Sequence, residues 1–172
     1  MMELMEVIAK RRSVRAYKSQ EISKETLSKI LEAARLAPSA NNRQPWKFIV
    51  VRDQETRQKL AKAARGQSFV GEAPIVIAGV ALDPNRIISG VVPGYAVDLA
   101  IALEHIALAA QDEGLGTCWI GAFSQEEVKT ILGVPDSYKI VALMPVGYPQ
   151  DAPRLKVRKP MEEIVCYEKF SE

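Results

Sequence analysis

The sequence predicts one mixed domain in which helices cover both faces of a β-sheet. Residues 74–80 form a strand-like run that is apolar on both of its faces, which is typical of a strand covered from two sides. Residues 23–37 carry apolar side chains at helical spacing, and residues 95–113 predict a long helix that is apolar almost all round. A sheet packed between helices satisfies all three observations.

Length and charge restrict the domain organisation and the class of partner. The chain has 172 residues, of which 48% are hydrophobic and 26% charged, so we expect a single folded domain over residues 1–172 rather than a disordered chain. Lys and Arg total 23 against 21 Asp and Glu. This balance argues against nucleic acid as the main partner, because polyanion binders carry a marked basic excess.

Few residues of the metal-binding and nucleophilic types are present. Cys118 and Cys166 are the two cysteines, and they form no C-x-x-C pair; this usage favours a reducing, cytoplasmic location and no metal site. His105 is the single histidine. We find no targeting signal at the N-terminus, and no clean apolar run of about 20 residues predicts a membrane span.

Hydrophobic periodicity and capping residues divide the rest of the chain into elements. Ser23 can cap the helix that starts there, and Pro38 ends it because the residue before a proline disfavours helical torsions. Ser124 and Glu127 form a capping box for a helix that ends at Gly133. Residues 81–93 lack periodicity and predict a loop, which we interpret as a flap over a site. The other predicted elements are an N-terminal helix with Met1, Leu4, Met5 and Ile8 on one face, a polar loop over 39–44, strands over 48–51, 117–120 and 140–146, a helix over 55–64, and a polar tail after Gly147.

Two basic groups stand at opposite ends of the chain. In an extended segment Arg11, Ser13 and Arg15 fall on one side, so two guanidinium groups and a hydroxyl can converge on one anion. Lys156 and Arg158 repeat this alternation near the C-terminus. Together the groups can enclose a phosphate from two directions, although two solvated charge runs have the same pattern.

Two further segments offer polar or backbone groups to a ligand. The loop that follows Pro38 is rich in amides and hydroxyls, which suit the edge of a heterocycle that carries both carbonyl oxygens and ring nitrogens; an ordinary Asn-rich turn fits as well. Residues 114–121 miss the G-x-G-x-x-G fingerprint and follow a helix instead of a strand, which disfavours a Rossmann site. Gly121 and Ala122 can place backbone amides against a flat ligand, or form a tight junction without one.

The chain offers no convincing catalytic side chain of its own. Cys118 would need a base, and His105 lies within the long apolar helix with no sequence relation to it. Asp98 and Glu104 are not spaced at i,i+3 or i,i+4 on that helix, so a paired-carboxylate site is poorly supported.

Five segments, taken in order, resemble the nitroreductase family of flavin enzymes. They span nearly the whole chain and read R-R-S-V-R-A-Y, A-P-S-A-N-N-R-Q-P-W, D-L-A-I-A-L-E-H-I-A-L-A-A, G-L-G-T-C-W-I-G-A-F, and V-G-Y-P followed by the basic tail. The resemblance implies a three-layer α+β fold with a central, mostly antiparallel sheet flanked by helices and an extended C-terminal tail. It also implies an obligate homodimer with one FMN in each of two interface sites. The helical insertion that covers the substrate in many relatives is not evident here.

The resemblance also implies which residues bind the cofactor. By position, the phosphate, ribityl chain and ring edge are bound by Arg11, Arg12, Ser13 and Arg15, and the phosphate also by Lys156 and Arg158. A loop from the partner subunit contributes Pro38, Ser39, Ala40 and Asn42. The backbone of Gly121 and Ala122 lies opposite the reactive flavin nitrogen in this resemblance.

The implied activity is that of an FMN-dependent oxidoreductase with ping-pong turnover. It would take hydride from NADH or NADPH and reduce nitroaromatics, quinones or similar electrophiles, while the flavin carries the chemistry and no side chain is catalytic. Alternatives on the same fold are reductive dehalogenation and oxygen-dependent breakdown of the flavin. A flavin-binding module without turnover, or a small nucleic-acid binder using the basic ends, is the alternative from another class.

Overall fold

The computed structural model of the protein describes residues 2–151 and 157–171. The helices are α1 (Leu4–Lys10), α2 (Lys24–Arg35), α3 (Gln54–Ala63), α4 (Ser68–Glu72), α5 (Gly94–Asp112) and α6 (Gln125–Leu132), with short 3₁₀ turns at Ala40–Asn42 and Met161–Glu163. The strands are β1 (Trp46–Val51), β2 (Ile75–Ala81), β3 (Ile87–Ile88), β4 (Val92–Pro93), β5 (Gly116–Thr117) and β6 (Lys139–Gly147).

Four strands form the central sheet in the order β1-β2-β6-β5, and every pairing between them is antiparallel. Every residue of β2 is buried, as the apolar run over 74–80 predicts. The α+β class and the antiparallel sheet are therefore confirmed.

Alternate residues of β2 enter two different cores, which makes the domain three layers thick. Val76 and Ala78 pack with Leu60 of α3 on one face. Ile75 and Ile77 pack on the other face with residues of α2 and α5, among them Ile30, Leu103 and Ile106. Because successive side chains of a strand point to opposite faces, one apolar strand supplies both cores.

The predicted N-caps of α2 and α6 and the C-cap of α6 are present, but the capping box of α6 is only half formed, because the Ser124 N–H donates to the Ala63 carbonyl at 2.9 Å. The Ser23 hydroxyl accepts from the Thr26 N–H at 3.0 Å, and Ser124 accepts from Glu127 at 3.3 Å. Gly133 ends α6 in the left-handed region, with φ of 65°, where glycine avoids the Cβ clash.

The loop predicted over residues 81–93 is wrong in part, because β3 and β4 form a hairpin there. Two-residue strands are too short to produce a hydrophobic period, and the turn at Ser89 and Gly90 has positive φ at both residues. Helix α4, with five residues, was not predicted for the same reason. The strand expected over 117–120 is shorter, since after Thr117 only Ile120 bridges to Leu143.

Some apolar surface stays outside the two cores. Leu4, Met5 and Ile8, the predicted apolar face of α1, are exposed, and Val7 is the buried residue of that helix. In the C-terminal segment Val157, Tyr167 and Phe170 are each more than four-fifths exposed. Within the described ranges, no helix is long and apolar enough to cross a membrane.

Candidate functional site

The basic segment 11–15 lies along the short strand β5. The Val14 N–H donates to the Thr117 carbonyl at 2.9 Å, and Ser13 forms a parallel bridge with Thr117. Val14 is 5% exposed, whereas Arg15 is exposed. Val14 and Arg15 thus alternate between buried and exposed, whereas Arg11, Arg12 and Ser13 are all half-buried; the convergence of Arg11, Ser13 and Arg15 on one anion stays a prediction.

Two residues outside the segment hold it against the sheet. The Tyr17 hydroxyl donates to the Val14 carbonyl at 2.8 Å, and burial raises the pKa of Tyr17 well above its usual range. A Cβ on Gly116 would lie 2.4 Å from a methyl group of Val14. The absence of a side chain at Gly116 is thus what allows the segment to approach β5.

Arg11 and Arg12 are committed partly to the protein itself. Arg11 pairs through Nε with Glu104 of α5 at 3.0 Å. Arg12 donates through Nη1 to the carbonyls of Ala9 and Arg11, at the C-terminal end of α1. The Nε of Arg12 is buried and has no hydrogen-bond partner among the described residues, so a donor that must be satisfied is left available.

Arg15 lies over an aromatic ring and carries an uncompensated charge. Its guanidinium carbon is 5.9 Å from the centroid of the Phe69 ring in α4, a distance at which cation–π attraction operates. Within residues 2–151 and 157–171, no carboxylate forms an ion pair with Arg15. The side chain can therefore offer its charge to an external anion.

The second basic group is described only in part. Lys156 lies outside the described residues, and Arg158 is exposed. The predicted convergence of Lys156 and Arg158 with Arg15 on one phosphate stays a prediction.

The loop after α2 has a rigid, unusual backbone. The Ser39 hydroxyl accepts from the Gln44 N–H at 2.9 Å, and the Gln44 amide donates to the Asn42 side-chain oxygen at 3.1 Å. Asn41, Asn42 and Gln44 all have positive φ, a region that asparagine tolerates better than most residues. Each such residue costs on the order of 1 kcal/mol or more, so the loop is held in a conformation that a free chain would rarely adopt.

The same loop is attached to α5 at Asp98, which accepts from the Ala40 N–H at 3.1 Å. Arg11 contacts α5 at Glu104, six residues further on. That separation is about 9 Å along the helix and roughly 120° around it. Within one chain, the loop and the basic segment therefore contact different faces of the helix.

Gly121 and Ala122 present an open stretch of backbone, and both residues are exposed. A Cβ on Gly121 would meet only Trp119 Nε1, at 3.8 Å. The Ala122 carbonyl accepts from Gln67 at 3.4 Å. Neither the Gly121 nor the Ala122 N–H donates to a described residue. Because Gln67 immediately precedes α4 and Phe69 belongs to it, Ala122 and Arg15 both lie beside this short helix.

His105 and Cys118, considered above as a base and a nucleophile, each contact a backbone carbonyl of the protein. His105 Nδ1 lies 3.1 Å from the Ala33 carbonyl, where α5 packs on α2. The Cys118 thiol is buried and faces the Trp119 carbonyl at 3.9 Å. Among the described residues, no group of three or more His, Cys, Asp or Glu side chains is arranged to hold a metal ion.

Sequence reasoning missed several supporting residues, chiefly Glu104, Asp98, Tyr17, Gly116 and Phe69. Asp98 and Glu104 were considered only as a pair of carboxylates with each other, whereas each contacts a different predicted site segment. A carboxylate inside a helix otherwise apolar all round was the available signal, because such a residue needs a specific partner.

The residues described above fit a planar cofactor with an anionic group. They include the Arg15 guanidinium and the open backbone of Ala122, both beside α4, and the buried, unsatisfied Nε–H of Arg12 in the same basic segment as Arg15. The fold and these groups are those expected of a flavin-binding oxidoreductase domain.

Comparison with known proteins agrees with this class. The Nitroreductase family profile matches residues 8–86 and 93–148. A solved nitroreductase family protein from Clostridium novyi NT is 40% identical, with a TM-score of 0.83 over 94% of this chain and 91% of its own. An FMN-dependent nitroreductase from Clostridium difficile R20291 is 30% identical, with a TM-score of 0.86 over 96% and 99% of the two chains. The FMN reductase [NAD(P)H] of Bacillus subtilis is 31% identical over 95% of this chain and 73% of its own. The chain belongs to the nitroreductase family.

Proposed function

We propose that this protein binds FMN between two copies of the chain and uses it to pass electrons from NADH or NADPH to a small electrophilic acceptor. The relatives named above as FMN-dependent or as NAD(P)H-using support the coarser part of this statement: the chain is an FMN-dependent NAD(P)H oxidoreductase. Nitroaromatics and quinones are the acceptors proposed here.

The assignment rests on arginine donors that have no acceptor among the described residues and that lie in the same part of the protein as unpaired backbone N–H groups. Arg15 has no carboxylate partner among the described residues, and Arg12 Nε is buried without an acceptor. Charged groups of this kind are satisfied by phosphate oxygens, and each charged hydrogen bond contributes roughly 1.5–3 kcal/mol. We assign the phosphate and ribityl contacts to Arg11, Arg12, Ser13 and Arg15, with Lys156 and Arg158 closing the phosphate site from the tail.

The second part of the proposed site comes from a partner subunit. The loop with Pro38, Ser39, Ala40 and Asn42 contacts α5 on a different face from Arg11, so we propose that it serves the flavin of the other chain. The exposed apolar faces of α1 and of the C-terminal segment supply surface for such a homodimer, because exposed apolar patches of this kind mark interaction sites.

The protein contributes binding, orientation and control of access, and no side chain acts as acid or base. FMN, when bound, supplies the hydride and electron chemistry. When FMN is bound, the amide N–H groups of Gly121 and Ala122 would be available to donate to it, because neither donates to a described residue. We expect turnover to be ping-pong, because nicotinamide and acceptor would have to use the same stacking position on the flavin in turn.

The direct test is an anaerobic absorption spectrum of the purified protein. It should show a flavin spectrum at one FMN per chain, loss of the visible absorbance on adding NADH or NADPH, and its return on adding a quinone. Initial rates against both substrates should give parallel double-reciprocal lines. A protein that takes up no FMN from solution would contradict the proposal, and intersecting lines would contradict the ping-pong step alone.

A further inference from the structure

Asp98 is a buried carboxylate in the most apolar helix of the protein. It is 3% exposed and sits near the start of α5, among residues that pack into the core. A carboxylate in such surroundings is costly unless hydrogen bonds and opposite charge compensate it. The groups that contact Asp98 should therefore indicate its role in the protein.

Those partners are one backbone group and one guanidinium. Oδ1 accepts from the Ala40 N–H at 3.1 Å. Oδ2 has no hydrogen-bond partner among the described residues, and it lies 3.9 Å from Nη1 of Arg86, whose side chain is 15% exposed. The charge of Asp98 is thus balanced by Arg86, from the segment that leads into the β3–β4 hairpin.

Arg86 also contacts Ala40, at the carbonyl group instead of the N–H. Its Nη1 donates to the Ala40 carbonyl at 3.4 Å. One ion pair therefore contacts both polar backbone groups of Ala40, the N–H through Asp98 and the carbonyl through Arg86; the carbonyl also accepts from the Arg43 N–H within the loop at 3.4 Å. The residues that follow, Asn41 and Asn42, have positive φ, so contacts from outside the loop add to its internal hydrogen bonds in keeping this shape.

Arg86 is also fixed to the fold through its own backbone. Its carbonyl accepts from the Gly94 N–H at 2.9 Å, at the first residue of α5. The base of the hairpin is therefore tied to the helix, whereas Val91 at its tip is 80% exposed. Arg86 is thus anchored both to α5 and to the loop.

We propose that Asp98 and Arg86 are positioning residues, a buried ion pair that fixes the Ala40 peptide and so presents the Ser39–Asn42 loop to the partner subunit's flavin. This inference rests on the proposed function, and it adds residues that touch neither cofactor nor substrate. Removing the charge of either Asp98 or Arg86 should therefore loosen the loop and weaken flavin binding together.

The first test measures the loop without any flavin. Amide hydrogen exchange at Ala40, followed by NMR in the flavin-free protein, should become about tenfold faster or more in Asp98→Ala, because that variant removes the acceptor of this N–H. Glu113→Gln is the matched control, since Glu113 follows the other end of α5 and pairs with Lys29. Unchanged exchange at Ala40 in Asp98→Ala would overturn the proposal.

The second test measures flavin affinity and asks for rescue. Arg86→Gln leaves the Asp98 carboxylate buried without a counter-charge and should weaken FMN by about tenfold, while Glu113→Gln should leave the affinity unchanged. The double variant Asp98→Asn with Arg86→Gln restores a neutral donor and acceptor at Ala40, so it should bind FMN more tightly than Arg86→Gln alone. A purely additive loss would contradict the positioning role.

Two further outcomes separate this inference from its alternatives. If both single variants lower the melting temperature but bind FMN like the wild type, the ion pair is merely structural and the proposal is wrong. If the wild type itself binds no FMN, the proposed function fails, whereas the exchange at Ala40 still reports whether the ion pair fixes the loop. Where Asp98→Ala does not fold, Arg86→Gln and its double variant with Asp98→Asn still test the ion pair, through the FMN affinity of the second test.

Discussion

Within the basic segment, Arg15 is the arginine whose side chain is least committed to the protein's own polar groups. It lies against Phe69 and has no carboxylate within ion-pair distance among the described residues, whereas Arg11 is already paired with Glu104. An arginine placed in this way has charge and hydrogen-bond donors to offer an incoming anion.

Replacing Arg15 should therefore separate FMN from riboflavin. Arg15→Ala should weaken FMN by about tenfold or more, because it removes a charged hydrogen bond to the phosphate, and should leave the weaker binding of riboflavin nearly unchanged. Fluorescence titration with both flavins measures this, with Lys62→Ala, on the exposed side of α3, as the control. Equal affinity of the wild type for FMN and riboflavin would refute the phosphate assignment.

Tyr17 gives the protein a specific response to alkaline pH. Burial raises the pKa of its hydroxyl far above the unfolded value of about 10. The stabilisation is thus fully present below pH 10 and is lost as the pH rises towards the folded-state pKa.

Urea unfolding of the wild type and of Tyr17→Phe at several pH values tests this linkage. Tyr17→Phe should cost about 1 kcal/mol near neutral pH through the lost hydrogen bond to the Val14 carbonyl. Above pH 10 the difference should shrink, because the wild type then loses stability that the variant never had. A difference that stays constant up to pH 11 would show that the tyrosine titrates normally.

At the scale of elements, two glycines near β5 have opposite surroundings. A side chain at Gly116 would collide with Val14, whereas one at Gly121 would enter open space. The first glycine lets the basic segment pack on the strand, and the second leaves room where we place the flavin.

The two substitutions should consequently fail in different ways. Gly116→Ala should lower the melting temperature by several degrees and weaken FMN, since overpacking by a methylene costs about 1–3 kcal/mol. Gly121→Val should leave the flavin-free protein as stable as the wild type and weaken FMN alone. Differential scanning calorimetry without flavin and titration with it separate the effects; a stability loss in Gly121→Val equal to that in Gly116→Ala would contradict the assignment of open space.

At the scale of the whole molecule, the single chain leaves apolar groups without a partner. The face of α1 with Leu4 and Met5 is exposed, and so are Met161, Tyr167 and Phe170 of the C-terminal segment. The proposed homodimer would cover these surfaces, and it would explain why the two segments that we propose bind flavin contact different faces of α5.

Removing the residues from Pro160 onward should therefore loosen the dimer and the flavin site together. Light scattering of the full chain should give about twice 19.0 kDa, and the truncated chain should dissociate at a higher concentration and retain less FMN. The matched control is Val91→Thr at the exposed hairpin tip, which should change neither property. An active, flavin-loaded monomer would refute the shared site.

The sequence by itself determined the layered α+β fold and the N-caps of α2 and α6, and it named the segments in which we propose the site. Hydrophobic period and capping chemistry are local, so β2, α2 and the N-cap of α6 at Ser124 follow from neighbouring residues. Resemblance of ordered motifs then indicated the family. Short elements such as α4 and the β3–β4 hairpin were missed because they span too few residues to show a period.

Only the tertiary structure decided which side chains support those segments. The contacts of Arg11 with Glu104, of Val14 with Gly116 and of Ala40 with Asp98 join residues 58 to 102 positions apart. Such contacts depend on how helices and strands pack, and no local pattern encodes them. For this reason the sequence named the residues that we propose face the cofactor, and the fold revealed the groups that contact them from other elements.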